Sequence, residues 1–220
     1  MTLLLVPTLL SSLLLLPTLL LTLIALTPVP AQAQLPTGTN IGQQNNVTSL
    51  RGTWSSGSGN VVTGLQFFNP ANNTFTYPTT AGMSYSFTDD FHWEQALYIY
   101  QPKADNPYCV TAQLIWQHGT YSINGSNFIS LQPFKGDGMQ QIASRCTKTS
   151  QSVQPYNQPE LMSGFEIHLD THYGQSAYYL KMYGFDGTPK PLMWKVYDPP
   201  QMLPTVQLKE QVRRILLFSP

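Results

Sequence analysis

From Arg51 onward, hydrophobic and polar side chains alternate with a period of two. Met83, Tyr85 and Phe87 alternate with Ser84, Ser86 and Thr88, and Val110, Ala112, Leu114 and Trp116 with Thr111, Gln113, Ile115 and Gln117. Phe165, Ile167 and Leu169 alternate with Glu166, His168 and Asp170, and Leu192, Trp194 and Val196 with Met193, Lys195 and Tyr197. A sheet with one buried face demands this pattern, because successive side chains of a strand point to opposite sides. Turn signals separate the runs. Asn124-Gly125 predicts a hairpin with a type I′ turn between residues 120–123 and 128–131, and Asp137-Gly138 and Asp186-Gly187 mark further turns. About eight to ten strands with short connections predict an all-β, antiparallel architecture, an up-and-down barrel with a β-sandwich as the alternative.

Two stretches break the pattern. Residues 147–164 are Gln/Ser/Pro-rich and read as a polar linker. Near the C-terminus, Leu208, Val212, Ile215 and Leu216 fall at helical spacing among Lys209, Glu210, Arg213 and Arg214, which predicts a short helix. Only residues 215–218 are consecutively apolar there, so this tail is not read as a membrane span. Gly52-x-Trp54, at the first strand, is similar to the Gly-x-Trp of lipocalins, whose tryptophan closes the barrel base. It favours the lipocalin-like, up-and-down form.

The other end fixes the compartment. Residues 1–26 are Leu-, Thr- and Pro-rich without a charge, and Ala31-Gln32-Ala33 ends the stretch with small residues at the spacing a signal peptidase reads. Residues 1–33 are therefore a signal peptide, with an uncleaved anchor as the alternative. Residues 34–50 follow as a flexible lead-in, 51–205 as the lumenal β domain and 206–220 as a tail. Sequons at Asn46, Asn72 and Asn124 agree with a lumenal chain and are candidate N-glycosylation sites. Cys109 and Cys146, the two cysteines, most simply form one disulfide in an oxidising compartment, worth about 4 kcal/mol through loop entropy.

Charge then narrows the function. Eleven basic and 11 acidic residues balance, and charged residues make up 10% of the chain, well below the roughly 25% usual in globular proteins. No basic patch is available for nucleic acid. Glu166, His168, Asp170 and His172 share one strand face, but neighbours are roughly 7 Å apart along it, too far to close on one metal ion. That face reads as solvated. Glu94 and Glu166, both in aromatic company, are the candidates for a glycan hydrolase, although nothing in their spacing brings them together. No nucleophile elbow or phosphate loop occurs. No catalytic residue and no cofactor is assigned.

Aromatics are the surplus. Ordinary barrel packing accounts for many of them, but an apolar body with a polar tip also suits the holding of unfolded chains, glycans or lipids. Trp54, Trp93, Trp116 and Tyr178 are the binding candidates. Tyr178 and Tyr179 point to opposite faces, so at least one lies outside a one-sided core.

Several motifs stand in order: Gly52-Thr53-Trp54-Ser55-Ser56, Gly82-Met83-Ser84-Tyr85-Ser86-Phe87-Thr88, Asn106-Pro107-Tyr108-Cys109, Gln117-His118-Gly119-Thr120-Tyr121, Cys146, Tyr183-Gly184-Phe185-Asp186-Gly187 and Pro199-Pro200-Gln201-Met202-Leu203-Pro204-Thr205. The series resembles the fungal "reversal of Tor lethality" family of endoplasmic-reticulum chaperones. The resemblance implies a glycosylated, non-enzymatic protein that assists folding of secretory and cell-wall proteins and supports cell-wall β-1,6-glucan. Its implied partners are unfolded secretory or cell-wall proteins and other chaperones of that compartment. Members typically carry a C-terminal membrane span, from which this chain departs. A lipid- or glycan-binding barrel is the alternative function, and a cell-wall glycan hydrolase is the third.

Overall fold

A computed structural model gives the fold and describes residues 47–146 and 151–209. Its strands are β1 (Gly52–Ser56), β2 (Phe68–Asn69), β3 (Thr74–Phe75), β4 (Gly82–Phe87), β5 (His92–Lys103) and β6 (Asn106–Ile123), then β7 (Ile129–Pro133), β8 (Met139–Ser144), β9 (Gln151–Pro155), β10 (Glu160–His172), β11 (Gln175–Gly184) and β12 (Met193–Tyr197). Eight of them close a hydrogen-bonded ring in chain order, β1-β4-β5-β6-β7-β10-β11-β12 and back to β1, with antiparallel neighbours throughout. This is the up-and-down order expected from the sequence. The β2–β3 hairpin is inserted between β1 and β4, and β8–β9 between β7 and β10. Two seams of the ring are narrow. β7 meets β10 only at residues 129–131, and β11 meets β12 only through Tyr179↔Trp194 and Leu180↔Met193.

The long strand β6 forks. One edge follows β5 along most of its length, while the other pairs first with β8 (residues 111–116) and then with β7 (residues 119–123). Gly119 stands where β7 takes over. A Cβ there would lie 2.0 Å from the Gln132 carbonyl oxygen, so backbone approach at the fork excludes every larger residue.

Over residues 93–96 of β5 and 114–119 of β6 both faces are buried, and each belongs to a different core. Inside the ring pack Trp54, Tyr85, Phe87, Trp93, Tyr121, Ile129, Leu131, Phe165, Ile167, Leu180, Met182 and Met193. Ala96, Tyr98, Ala112, Leu114 and Trp116 point outward into a second core with Val61, Phe67, Phe68, Phe75, Met139 and Leu203. Phe68 stacks on Trp116 with ring centroids 4.4 Å apart. The apolar run of β6 therefore faces away from the ring, and Gln117 faces inward. In β12 the buried side is likewise Met193, whereas Trp194 lies outside, against Tyr179.

Two segments cover the outer face: the excursion carrying β2 and β3, and a strap over residues 199–209. Under them the outward hydroxyls of β1 and β4 form a buried set. Thr53 Oγ1 and Thr63 Oγ1 each lie 2.6 Å from Ser86 Oγ, Thr63 donates to the Gln201 carbonyl (2.6 Å), and the Gln201 amide donates to Thr53 Oγ1 (2.8 Å). The serines of Gly82–Phe87, on the polar side of the alternation, are buried at 0% exposure because the covers turn a one-sided sheet into a two-sided one.

Three further expectations are corrected. Residues 147–164 are no linker: 151–155 and 160–164 lie in β9 and β10 (147–150 lie outside the described residues). The Asn124-Gly125 hairpin forms, but with a five-residue loop. Asn127 donates back to the Asn124 carbonyl and takes the left-handed conformation (φ 65°), so Gly125 is not one of two left-handed turn residues. The lead-in is not flexible at its end either: the Val47 amide donates to the Ile167 carbonyl and Leu50 belongs to the inner core. The signal segment, Asn46 and most of the stretch expected to form a C-terminal helix lie outside the described residues, the last two of which, Leu208 and Lys209, are helical.

Candidate functional site

The tryptophans singled out as binding residues are placed by the fold where no client reaches them. Trp54, Trp93 and Trp116 have 0% exposure, two in the inner core and one in the outer. Trp54 Nε1 donates to the Leu50 carbonyl at 2.7 Å, and Lys195 Nζ sits 4.9 Å from its ring centroid. They are packing residues, and this corrects the expectation. Tyr178 is half-buried against the inner core, while Tyr179 stands outside, as their adjacency requires. The ring interior is filled rather than hollow. Beside the apolar side chains, Gln95 Nε2 donates to Tyr85 Oη (2.6 Å) and Glu160 Oε1 (2.7 Å), Gln117 Nε2 donates to Gln95 Oε1 (2.9 Å), and Lys190 Nζ lies 3.1 Å from Glu160 Oε2. Packing of this kind leaves the lipid- or glycan-filled barrel without an observation in its favour.

Glu94 is fully buried on the outer face. Its Oε1 accepts from the Gly64 amide (2.6 Å) and Trp116 Nε1 (2.8 Å), and its Oε2 from the Leu203 amide (2.5 Å). Three covering or core elements thus hang on one carboxylate. Burial pushes the Glu94 carboxyl above its usual range, and the donated bonds pull it only partly back. Across the β5–β6 pair stands His118, whose Nε2 lies 2.9 Å from Asp137 Oδ2. Asp137 also accepts from the amides of Leu208 (2.6 Å) and Lys209 (2.9 Å), where the described helical residues begin. Burial alone would raise the Asp137 carboxyl, but the His118 bond and the two amides hold it below the usual range. The two carboxylates fasten the covers to the ring.

The Asp137 clasp carries a pH dependence. Its carboxyl is depressed in the folded chain, so its contribution to stability is present above the ordinary value of 3.8 and is lost as pH falls through the folded value. Asp137→Ala is expected to abolish hydrogen-exchange protection of the Leu208 and Lys209 amides at neutral pH, as strong acid would in the parent chain. Unchanged protection in the variant would show that the strap is held by other contacts.

Glu166 and His168 face outward on β10 with Oε2 and Nε2 3.2 Å apart, and Tyr183 Oη donates to Glu166 Oε1 at 2.8 Å. His172 stacks on Trp194 with ring centroids 4.0 Å apart. Among the described residues no three His, Cys, Asp or Glu side chains gather to hold a metal ion. Glu94 and Glu166 have separate partners on strands that β6 and β7 keep apart, so the structure does not bring this pair together.

Accessible aromatic surface lies elsewhere, where β5 and β6 run on beyond the ring beside β8 and β9. Tyr77, Tyr98, Tyr100, Val110, Ala112 and Ala143 line a groove of about 520 Å³ with Ser144 and Arg145 at its side. Tyr77 and Tyr100 are 45% and 49% exposed, whereas Tyr98 beneath them is 3% exposed. The rings of Tyr77 and Tyr98 meet edge to face at 5.9 Å, the hydroxyls of Tyr98 and Tyr100 hydrogen-bond to each other, and Gln141 Nε2 donates to Tyr77 Oη. The tyrosines are thereby fixed. Around the same strands a second groove of about 510 Å³ is lined by Gln101, Pro102, Lys103 and the bridged cysteines. Cys109, early in β6, is joined to Cys146, just past β8. Sequence reasoning missed the groove because Tyr77 and Tyr100 are distant in the chain and neither sits in a recognisable motif.

Two sequons occupy exposed turns. Asn72 Oδ1 accepts from Thr74 Oγ1 (2.6 Å) beside the β2–β3 turn, and Asn124 Oδ1 accepts from the Ser126 and Phe128 amides at the β6–β7 tip. Each side-chain nitrogen stays outside these bonds. Among the described residues no helix is long and apolar enough to cross a membrane.

Residues 50–215 match the family described as Rot1, chaperone for protein-folding within the ER, fungal. Protein rot1 of Schizosaccharomyces pombe is 46% identical over 157 residues, which cover 71% of this chain and 67% of that protein. Protein ROT1 of Yarrowia lipolytica is 40% identical over 165 residues (74% and 66%), and protein rot1 of Aspergillus niger 36% over 174 residues (79% and 73%). The chain therefore spans about two thirds of the length of the first two relatives. No solved structure matches it. With three quarters of the sequence inside one family match and fungal relatives 40–46% identical over more than two thirds of it, the chain belongs to the Rot1 family of chaperones for protein folding within the endoplasmic reticulum.

Proposed function

We propose that this chain holds non-native secretory and cell-wall proteins in the lumen by binding alone, without turnover, and that the tyrosine groove beside β5, β6 and β8 is where it holds them. Proteins that build cell-wall β-1,6-glucan are among the proposed clients. The observation that carries this reading is the groove itself: two half-exposed tyrosines stand on a rigid, disulfide-tied sheet with an arginine at the side. Such rings bury a large apolar body against a client at low entropic cost and keep a polar tip for its backbone. Tyr100→Ser and Arg145→Glu are expected to weaken binding of a reduced, unfolding client about tenfold each, as loss of an interface anchor does. Light scattering would read the lost suppression of aggregation, and the thermal midpoint should stay near that of the parent. Full suppression by both variants, or none by the parent chain, would end this reading.

Asn72 and Asn124 are proposed to carry N-glycans. Protein purified from the secretory pathway should lose one glycan mass with Asn72→Gln and one with Asn124→Gln. A mass unchanged by either substitution removes that site.

A further inference from the structure

Among the described residues several stretches of strand edge lack a neighbouring strand, and two of them are blunted. On β5, residues 99–103 run beyond β4, and there Pro102 cannot donate and Lys103 forms an ion pair with Asp105 at 3.2 Å. On β10, beyond the short pairing with β7, side chain and lead-in occupy the edge. Asn127 Nδ2 donates to the Phe165 carbonyl (3.2 Å) and the Val47 amide to the Ile167 carbonyl (3.2 Å). β9 is guarded only at its end, where Pro155 removes one outward donor and leaves those of Gln151 and Val153. It pairs with β8 on one side, and among the described residues no strand follows on the other. Its sequence, Gln151-Ser152-Val153-Gln154-Pro155, has no charge, all five residues are exposed, and proline appears only at the end.

The geometry points to β9 as a docking edge for an extended segment of a non-native client chain, which would add to the sheet as a further strand. The identity of the partner rests on the chaperone reading, and its extended form on the strand. A row of outward backbone N–H and C=O groups is matched only by another extended backbone, at a spacing of about 4.8 Å. Main-chain pairing is blind to sequence, as a binder of many clients requires. The side chains add a preference. Val153 is 43% exposed and lies directly opposite Gln141, on the face where Gln141 reaches Tyr77. A client segment with an uncharged, apolar residue beside Val153 would be preferred, and one with a run of charges would not. β8 lies between this edge and the tyrosine groove and lines the groove through Ala143 and Ser144, so one client can engage both.

The test uses the full chain and a fluorescent peptide of alternating valine and threonine, with a second peptide carrying proline at alternate positions. The first should bind, and hydrogen exchange of the 151–155 amides in the unaltered protein should slow on its addition. The proline peptide should bind about tenfold more weakly or worse, because it lacks the donors. Ser152→Lys and Val153→Lys, both at exposed positions, should weaken the first peptide by a similar factor without moving the thermal midpoint. Equal binding of both peptides, or binding lost only in Tyr100→Ser, would overturn the edge and leave the groove reading standing. Slowed exchange that depends on protein concentration and needs no peptide would assign the edge to a second copy of this chain instead. If the peptide does not bind while aggregation of an unfolding client is still suppressed, the edge proposal alone fails. If neither occurs, both readings fail.

Discussion

Glu94→Ala is expected to cost about 3–5 kcal/mol of folding stability, the largest single loss foreseen for a side chain that no client touches. The substitution strands three donors in a buried layer: the Gly64 amide, Trp116 Nε1 and the Leu203 amide. Each buried donor left unpaired costs about 1–3 kcal/mol, against a total stability of about 5–15 kcal/mol for a domain. Glu94→Gln should be milder, since an amide oxygen can still accept from Gly64 and Trp116 while its NH₂ group faces Leu203. The charge adds a second signature. Because burial raises the Glu94 carboxyl, the folded chain keeps this proton where the unfolded chain has released it. The resulting stability is full below the ordinary value of 4.5 and is lost as pH rises through the folded value, so the glutamine variant should show a flatter decline over that window. Urea unfolding at several pH values measures both. A loss for Glu94→Ala below about 1 kcal/mol, within the range of an ordinary surface change, would mean that the covers do not depend on this carboxylate.

Breaking the Cys109–Cys146 bridge is the second large effect. The cysteines are 37 positions apart, and the loop between them contains β7 and β8, so cross-linking removes about 4 kcal/mol of loop entropy from the unfolded chain. In the folded state the bridge sits just beyond the last rung between β6 and β8, Thr111↔Ser144, next to the Arg145 amide bond to the Val110 carbonyl. It closes the end of the sheet on which the tyrosine groove lies. Cys109→Ser, Cys146→Ser and the double variant should therefore lose similar stability and similar steady-state level, because either change removes the whole bond. Denaturant titration of the three proteins decides it. A double variant clearly worse than both singles would show that each thiol has an independent packing role.

The motifs that carried the family resemblance acquire physical roles once the chain is folded. Gly52–Ser56 sends Trp54 into the ring and Thr53 and Ser55 under the covers. Pro199-Pro200-Gln201-Met202-Leu203 is the strap, held by Thr53, Thr63 and Ser86 through Gln201 and by Glu94 through Leu203. Gln117-His118-Gly119 is the fork of β6, with Gln117 inside the ring, His118 on Asp137 and Gly119 against β7.

Local chemistry made part of this readable in advance. Period-two alternation is a property of a strand by itself, so the strands of the ring and their up-and-down order could be inferred from the chain alone, as could the cysteine pair in an oxidising compartment. Which face of a strand is buried is not a local property. Alternation said that Trp116 and Gln117 lie on opposite sides of β6, but only the excursion and the strap, arriving from far away in sequence, made the outer side apolar and the inner side polar at that point. The same long-range covering buried Ser84 and Ser86, enclosed Trp116 while ring closure enclosed Trp54 and Trp93, and turned Glu94 from a candidate acid into a structural acceptor. Residues 147–164 lacked an apolar rhythm because β9 is exposed on both faces, and a strand with nothing to bury leaves no hydrophobic period to read. Sequence determined compartment, family and strand order through local pattern and motif; tertiary structure alone decided which surfaces remain open, because burial is settled by what packs on a strand from elsewhere in the chain.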